Sequence, residues 1–412
     1  MGLPASVVGA YLCHPQWIEA MKATNSVYTG LPTTIFEEMS RLAIAHQAVN
    51  LGQGFPDIDG PEDIRRKAAE ALIEGPNQYP PMMGVMALRE AVAANWRRFH
   101  GLEVDPAREV LITSGATEAL SDVINALIEP GDEVVLIEPL YDCYLPLVKR
   151  AGGIPRLIRV TPPDWALDAA ALKAAFSPRT KAILLNNPHN PAAKVFSRAE
   201  IKLIADLAIR HDAYVIADEV YEHIVFDGER HVSMLSLDGM RERTVAIGSA
   251  GKSFSLTGWK VGYVTAAPAL IDPIVKAHQF TTFTTPPNLQ KAVAYGLAKD
   301  DSYFNGLAAE LQEKRDRLAK NCAALGPGVI PCQGTYFLTL DMGPLGLAGD
   351  DAALAKRMTV EAGITAVPVS AFYVSDAPKS FLRFCFCKRD EVLDEAVERM
   401  GGWLKSACQT AA

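Results

Sequence analysis

Five short strings in this sequence carry side chains that can do chemistry, and each follows an apolar run of strand length. Ser114-Gly115-Ala116-Thr117 opens a helical stretch. Small residues there let backbone N–H groups and a hydroxyl approach an anion, and the helix dipole favours phosphate. Glu138-Pro139-Leu140-Tyr141 delivers an aromatic ring, and Asn186-Asn187-Pro188-His189-Asn190-Pro191 makes two rigid turns that display amides. Asp218 and Tyr221 follow the fourth run. Gly248-Ser249-Ala250-Gly251-Lys252-Ser253 follows the fifth, with Lys260 close behind. Singly, each is ordinary loop punctuation or a helix cap. Together they make a phosphate cradle, an aromatic plate, amides, an Asp–Tyr pair and lysines. That set suits a planar, phosphorylated, electron-poor aromatic cofactor.

Such a set works only if the chain brings the strings to one place. The runs Glu109–Thr113, Glu133–Ile137, Ala182–Leu185, Tyr214–Ala217 and Thr244–Ile247 alternate with amphipathic helical stretches such as Arg198 to Arg210, which starts after the N-cap candidate Ser197. Near-continuous Val, Ile and Leu in the first three runs is the pattern of strands covered on both faces. The alternation predicts an α/β fold: a large domain with a mainly parallel sheet sandwiched by helices. Ligands bind beyond the carboxyl ends of such strands, where all five strings fall. After about residue 300 the pattern changes to a long helix over Leu307 to Ala324, strands over Thr335–Leu340 and Phe381–Cys387, and helices near 351–362 and 390–405. This predicts a smaller α+β domain. The expected division is 1–49 as N-terminal arm and part of the small domain, 50–295 as the large cofactor-binding domain and 296–412 as the small C-terminal domain.

Composition removes other classes. The chain has 412 residues, 49% of them apolar and 21% charged, enough to bury a large core and too apolar for disorder. Forty basic against 48 acidic residues give a net charge of −8, the wrong sign for a general nucleic-acid binder. No run nears the ~20 apolar residues that cross a bilayer. No basic, then apolar, leader opens the chain, and Met1-Gly2 with Ser6 fits the bare myristoylation pattern without a polybasic second signal. Seven scattered cysteines, odd in number and never C-x-x-C, predict reduced thiols in a cytoplasmic protein with neither a disulfide framework nor a metal site.

Two nucleotide-binding patterns fail on inspection. Gly251-Lys252-Ser253 ends like a P-loop, but its first glycine would fall on Ala246; Gly52-Gln53-Gly54 starts a dinucleotide fingerprint whose third glycine position is Asp57. The strings instead resemble the class I/II aminotransferases, pyridoxal-phosphate enzymes of fold type I, and most nearly the branch of kynurenine/glutamine transaminases and methionine aminotransferases. The resemblance rests on Asn50 to Asp57, Asn77 to Tyr79, Ser114 to Ala119, Asn186 to Pro191, Asp218 to Tyr221, Gly248 to Gly262 and Phe381 to Phe386.

The resemblance implies roles for single residues. Lys252 would form the Schiff base with pyridoxal 5'-phosphate and then move a proton, which requires a lowered pKa. Asp218 would keep the pyridine nitrogen protonated, while Tyr221 and Asn190 would hydrogen-bond the ring's phenolic oxygen and Tyr141 would stack on the ring. Gly115, Ala116, Thr117, Ser249 and Lys260 would hold the phosphate. Tyr79 would reach it from a neighbouring subunit, which implies a homodimer. Arg383 would grip the substrate α-carboxylate in a bidentate fork, helped by Asn190, Asn186 and the backbone at Gly54. The implied reaction is a ping-pong transfer from an L-amino acid to a 2-oxo acid.

The sequence departs from the pattern in the side-chain pocket. Phe36, Thr117 and Thr284 stand where the kynurenine branch has tryptophan, tyrosine and histidine, and Phe283 keeps an aromatic. Neutral donors of the methionine, glutamine or aromatic kind are expected. A succinyldiaminopimelate-type aminotransferase, a cysteine-conjugate β-lyase and a non-catalytic binding protein are the alternatives. Ala192-Ala193 replaces the usual residue-plus-glycine and predicts an altered turn, and Trp17 is expected to pack in the N-terminal arm.

Overall fold

A computed structural model describes residues 22–407 of the protein. Residues 22–32 form one short unit, in which Asn25 caps a single helical turn, Ser26–Thr29. Residues 33–407 belong to the other. Trp17, the Met1-Gly2 pattern, Cys13 and Cys408 lie outside the described residues.

A seven-stranded sheet organises the large part. Its order is Val110–Thr113, Gly262–Ala266, Thr244–Ser249, Tyr214–Asp218, Thr180–Asn186, Glu133–Glu138, Ile154–Arg159. Gly262–Ala266 runs antiparallel to both its neighbours, and the remaining adjacent pairs are parallel. All five predicted runs are strands of this sheet. Sequence periodicity missed the other two. Ile154–Arg159 has Pro155, Arg156 and Arg159, which an edge strand tolerates. Gly262–Ala266 is short and opens on a glycine.

Apolar side chains fill both faces of this sheet. Val134, Leu136, Leu184, Ile216 and Val245 pack with the helix Gly115–Leu127. Val135, Ile183, Leu185, Val215 and Ala217 pack on the opposite side with the helix Arg198–Arg210. That helix begins where predicted: Ser197 and Glu200 form a reciprocal capping box.

A second sheet is antiparallel throughout, in the order Val367–Pro368, Phe381–Cys385, Phe337–Asp341, Gly328–Val329. Its core includes Leu338, Leu340, Leu382 and Phe384. The helices Asp351–Ala362 and Asp390–Ala407 match expectation. The long helix starts at Asp301 rather than Leu307, because extended Asp300 opens it earlier. Val49–Asn50 pairs with Ile364–Thr365, bringing the segment 50–55 beside the second sheet.

One close approach sets the geometry at the end of the large sheet. A Cβ on Gly262 would lie 2.6 Å from the Gly115 carbonyl carbon and 2.8 Å from the Ala116 nitrogen, both backbone atoms that cannot swing aside. Gly262→Ala is therefore expected to destabilise the protein by about 1–3 kcal/mol, the cost of overpacking. A lower denaturant midpoint at unchanged slope would show it; an unshifted midpoint would mean the backbone yields freely there.

Candidate functional site

The strands that share one direction end on the same edge of the large sheet, and their trailing loops enclose a cavity of about 370 Å³. The cavity gathers Gly54, Gly115, Ala116, Thr117, Tyr141, Asn186, Asn190, Asp218, Tyr221, Ser249, Lys252, Lys260, Phe36 and Arg383, all the predicted site residues but two. Tyr79 and Phe283 are the exceptions. They meet edge to face with ring centroids 5.4 Å apart, beside a separate surface depression with Thr284, and Tyr79 is 83% exposed.

At one end, Gly115 starts a helix of 13 residues with φ 79°, so the first amides of Gly115–Leu127 are unpaired within the helix and available to an anion. Lys260 adopts left-handed φ 53°, and its Nζ lies 3.4 Å from where a Gly115 Cβ would sit. Glycine at this position thus makes room for the lysine against the amides. Ser249 and Thr117 add hydroxyls to the same wall.

In the middle, Asp218 ends its strand fully buried. Tyr144 donates a hydrogen bond to its Oδ2. Burial raises its carboxyl to about 6, against the lowering effects of Tyr144, the Val220 N–H and Lys252. Asn186 Nδ2 donates to the Asp218 carbonyl at 3.0 Å, and Asn186 Oδ1 accepts the Asn190 N–H at 2.7 Å, which locks the amide turn to the carboxylate. In that turn Ala193 takes φ 56°, the left-handed conformation that glycine adopts without penalty.

Lys252 sits in the short helix Ala250–Ser253. Its Nζ donates to Tyr336 Oη at 2.8 Å, and Tyr336 in turn donates to the Gly54 carbonyl at 2.7 Å. Desolvation lowers the amine's pKa, against the opposing charges of Cys387, Cys385 and Asp218.

Arg383, 1% exposed, closes the other end. Its Nη1 donates to Asn190 Oδ1 at 2.9 Å and its Nη2 to the Gly52 carbonyl at 2.8 Å, while Nε has no partner. Its guanidinium carbon lies 3.9 Å from the Phe337 ring centroid, with Phe372 at 5.2 Å and Phe36 at 5.3 Å. Burial lowers its pKa to about 10, so it remains a cation at neutral pH. Here is a buried fork of donors with no carboxylate bonded to it.

Sequence reading missed Tyr144, Tyr336 and Phe337. Tyr144 lies one turn beyond Tyr141, and that spacing was the available signal. Tyr336 and Phe337 fell in a predicted strand and gave no sign of pointing at a lysine and an arginine. The described cysteines are free, as expected, and all but half-buried Cys143 are buried. Among the described residues, no helix is long and apolar enough to cross a membrane.

A buried carboxyl without a cation bonded to it costs stability, and the sign follows from its raised pKa. The fold favours the protonated form, so the penalty is complete above pH ~6 and fades as pH falls toward ~4. In ligand-free protein, Asp218→Asn is expected to raise unfolding free energy at pH 8 by on the order of 2–3 kcal/mol, and by little at pH 4. Urea titrations at the two pH values test this; equal effects at both would refute it.

Comparison with known proteins agrees with this geometry. Residues 46–400 match the family described as aminotransferase class I and II. The probable N-succinyldiaminopimelate aminotransferase DapC of Mycobacterium tuberculosis is 44% identical, the match covering 89% of this chain and 95% of that protein. Mouse kynurenine–oxoglutarate transaminase 3 is 39% identical, covering 91% of this chain and 89% of its own. The solved structure of Escherichia coli YbdL, identified as a methionine aminotransferase, superposes with a TM-score of 0.90 at 39% identity, covering 93% of this chain and all of that one. The chain belongs to the class I and II aminotransferases, pyridoxal-phosphate-dependent enzymes of fold type I.

Proposed function

We propose that this aminotransferase moves the amino group of an L-amino acid with a neutral side chain, of the methionine, glutamine or aromatic kind, to a 2-oxo acid by a ping-pong mechanism in which Lys252 carries the cofactor covalently. One observation carries the reading: an amine, a buried carboxyl, an anion cradle and an unpaired buried guanidinium line one cavity. The residues fit pyridoxal 5'-phosphate. The cradle joins helix amides to Lys260, and Asp218 is a buried carboxyl with no cation bonded to it, suited to a protonated ring nitrogen. When bound, the cofactor supplies an electron sink for negative charge at the substrate α-carbon.

The protein's own groups divide the remaining work. Gly115, Ala116, Thr117, Ser249 and Lys260 would hold the phosphate, and Tyr141 would supply an aromatic wall for the ring. Asp218, its Oδ2 fixed by Tyr144, would keep a ring nitrogen protonated. Asn190 uses its Oδ1 on Arg383, which leaves its Nδ2 hydrogens to join the Tyr221 hydroxyl at the ring oxygen. Arg383 orients the substrate carboxylate, with Asn186 and the Gly54 backbone beside it. Phe36, Phe337 and Phe372 exclude water from the guanidinium, which strengthens the charge pairing. Lys252 Nζ takes the α-proton and returns it across the site. Its lowered pKa favours the free amine, and Tyr336 holds it between proton transfers.

Substrate class follows from the inventory of charge. The cavity has three cations, Lys252, Lys260 and Arg383. Cofactor, phosphate and α-carboxylate engage all three, so none remains for a second carboxylate. Lys388, buried outside the cavity lining, donates to the carbonyl of the lining residue Phe55 at 2.7 Å. Similarity to DapC favours one alternative, a succinylated diaminopimelate donor, which would need a cation from elsewhere.

A homodimer belongs to the same reading. Tyr79 and Phe283, exposed and outside their own cavity, would serve a partner's, with Tyr79 at its phosphate and Phe283 at its side-chain pocket. So do the domain limits 1–49, 50–295 and 296–412, supported by the two sheets falling on either side of residue 300, and a cytoplasmic location, supported by the free thiols.

Lys252→Ala is expected to abolish amino transfer in folded protein that still takes up cofactor; retained turnover would sink the assignment. Arg383→Ala should lower kcat/KM by about two orders of magnitude or more, the 2–5 kcal/mol typical of breaking a buried charge pair. In a donor panel, methionine, glutamine and phenylalanine should outperform succinylated diaminopimelate, and the reverse ranking would favour the alternative.

A further inference from the structure

Behind the anion cradle lies a buried cluster of charge that the mechanism above does not use. Glu118 and Asp122 stand one turn apart on the helix Gly115–Leu127 and so share a face. That face meets His278, in the last turn of the helix Pro268–Thr281. Both the His278 and Asp122 side chains are 0% exposed, and the Glu118 side chain is 7% exposed.

The hydrogen bonds fix the state of the ring. His278 Nε2 lies 3.1 Å from the Met82 carbonyl oxygen, which can only accept, so Nε2 carries a hydrogen. His278 Nδ1 lies 2.8 Å from Glu118 Oε1 and 3.5 Å from Asp122 Oδ2. Ionised carboxylates also only accept, so Nδ1 carries a hydrogen as well, and the ring is an imidazolium. The other oxygen of Glu118, Oε2, accepts the backbone N–H of Ser114, the residue immediately before the cradle. On the far side, Met82 opens a segment held at three points: Met82 by His278, the Met83 carbonyl by the Ile112 N–H at 3.1 Å, and the Val85 N–H by Gln290 at 2.8 Å. Tyr79 lies three residues upstream of Met82.

We infer that His278 is a positioning residue for phosphate binding: its imidazolium fixes Glu118, Glu118 fixes the turn at Ser114 from which the Gly115 and Ala116 amides project, and the opposite ring nitrogen anchors the segment that carries Tyr79. The inference rests on the reading of Gly115–Thr117 as the phosphate cradle. Removing the cation leaves two buried carboxylates in contact range, and Glu118 then turns from Ser114 or takes up a proton. Either change loosens the amides. The charged groups facing His278 are Glu118 and Asp122, and the Met82 segment offers it a carbonyl. Burial pulls the imidazole down, but Asp122 and Glu118 outweigh it and hold the pKa at about 9. The cation therefore persists through neutral pH and is lost as pH rises through about 9.

Affinity for pyridoxamine 5'-phosphate, compared with unphosphorylated pyridoxamine, isolates the cradle, because neither probe can bond covalently to Lys252. Wild-type protein should prefer the phosphorylated probe strongly at pH 7.5 and lose part of that preference above pH 9. His278→Gln should weaken the phosphorylated probe about tenfold or more, leave pyridoxamine within twofold and flatten the pH response. Glu118→Gln, which keeps an oxygen for Ser114, should weaken it less and in the same direction, and serves if the histidine variant does not fold. Wild-type protein without preference for the phosphate would overturn the cradle reading itself. A wild-type preference that both variants retain would overturn only the role of His278. So would a divalent metal recovered one-to-one with wild-type protein and lost from the His278 variant, since Nδ1 would then be a ligand and not a donor.

Discussion

The structure is organised around a carboxyl group in the wrong place for stability. Asp218 is buried at the end of a central strand with a tyrosine and a backbone N–H as its partners, and burial raises its pKa while nothing bonded to it carries the opposite charge. A fold tolerates such a group only when its surroundings are rigid and something supplies the missing charge. The Asn186 bridges to the Asp218 carbonyl and the Asn190 amide provide the rigidity. In the proposed reading, a protonated ring nitrogen would provide the charge. The cost of Asp218 in the empty protein and its use in the loaded one would then be the same interaction seen with and without its partner.

Arg383 repeats the logic with the sign reversed. It is a cation surrounded by three aromatic rings, satisfied through Asn190 and the Gly52 carbonyl, with Nε left over. Asn190 connects the two poles: its backbone is tied through Asn186 to Asp218, and its side chain to Arg383. Asp218 and Arg383 are thereby held in fixed relation although they lie in different sheets, Arg383 in Phe381–Cys385 and Asp218 in Tyr214–Asp218.

Much of this was legible in the sequence. Strands buried on both faces announce themselves as runs of Val, Ile and Leu, and in a parallel sheet the residues after each run must gather at one edge; that placed Ser114, Tyr141, Asn190, Asp218 and Lys252 together before any coordinates. The illegible parts have physical reasons. Ile154–Arg159 is an edge strand, so its proline and arginines hide the pattern. Tyr144 and Tyr336 act by where their hydroxyls end up, and no spacing rule relates position 144 to 218 or 336 to 252. His278 joins two helices distant in sequence, its ring bonded to Glu118 160 residues away. Phe283 was expected in the side-chain pocket and stands outside the cavity, and Tyr79, expected to reach a neighbouring subunit's phosphate, is exposed on the surface.

The visible absorption of protein loaded with pyridoxal 5'-phosphate, followed while amino acids are added one at a time, tests the central claim most directly. A band that bleaches with neutral L-amino acids, returns on adding a 2-oxo acid, and does not bleach in Lys252→Ala is the predicted result. A folded, cofactor-saturated protein whose band ignores every amino acid, or whose Lys252→Ala variant cycles like wild type, would contradict the account.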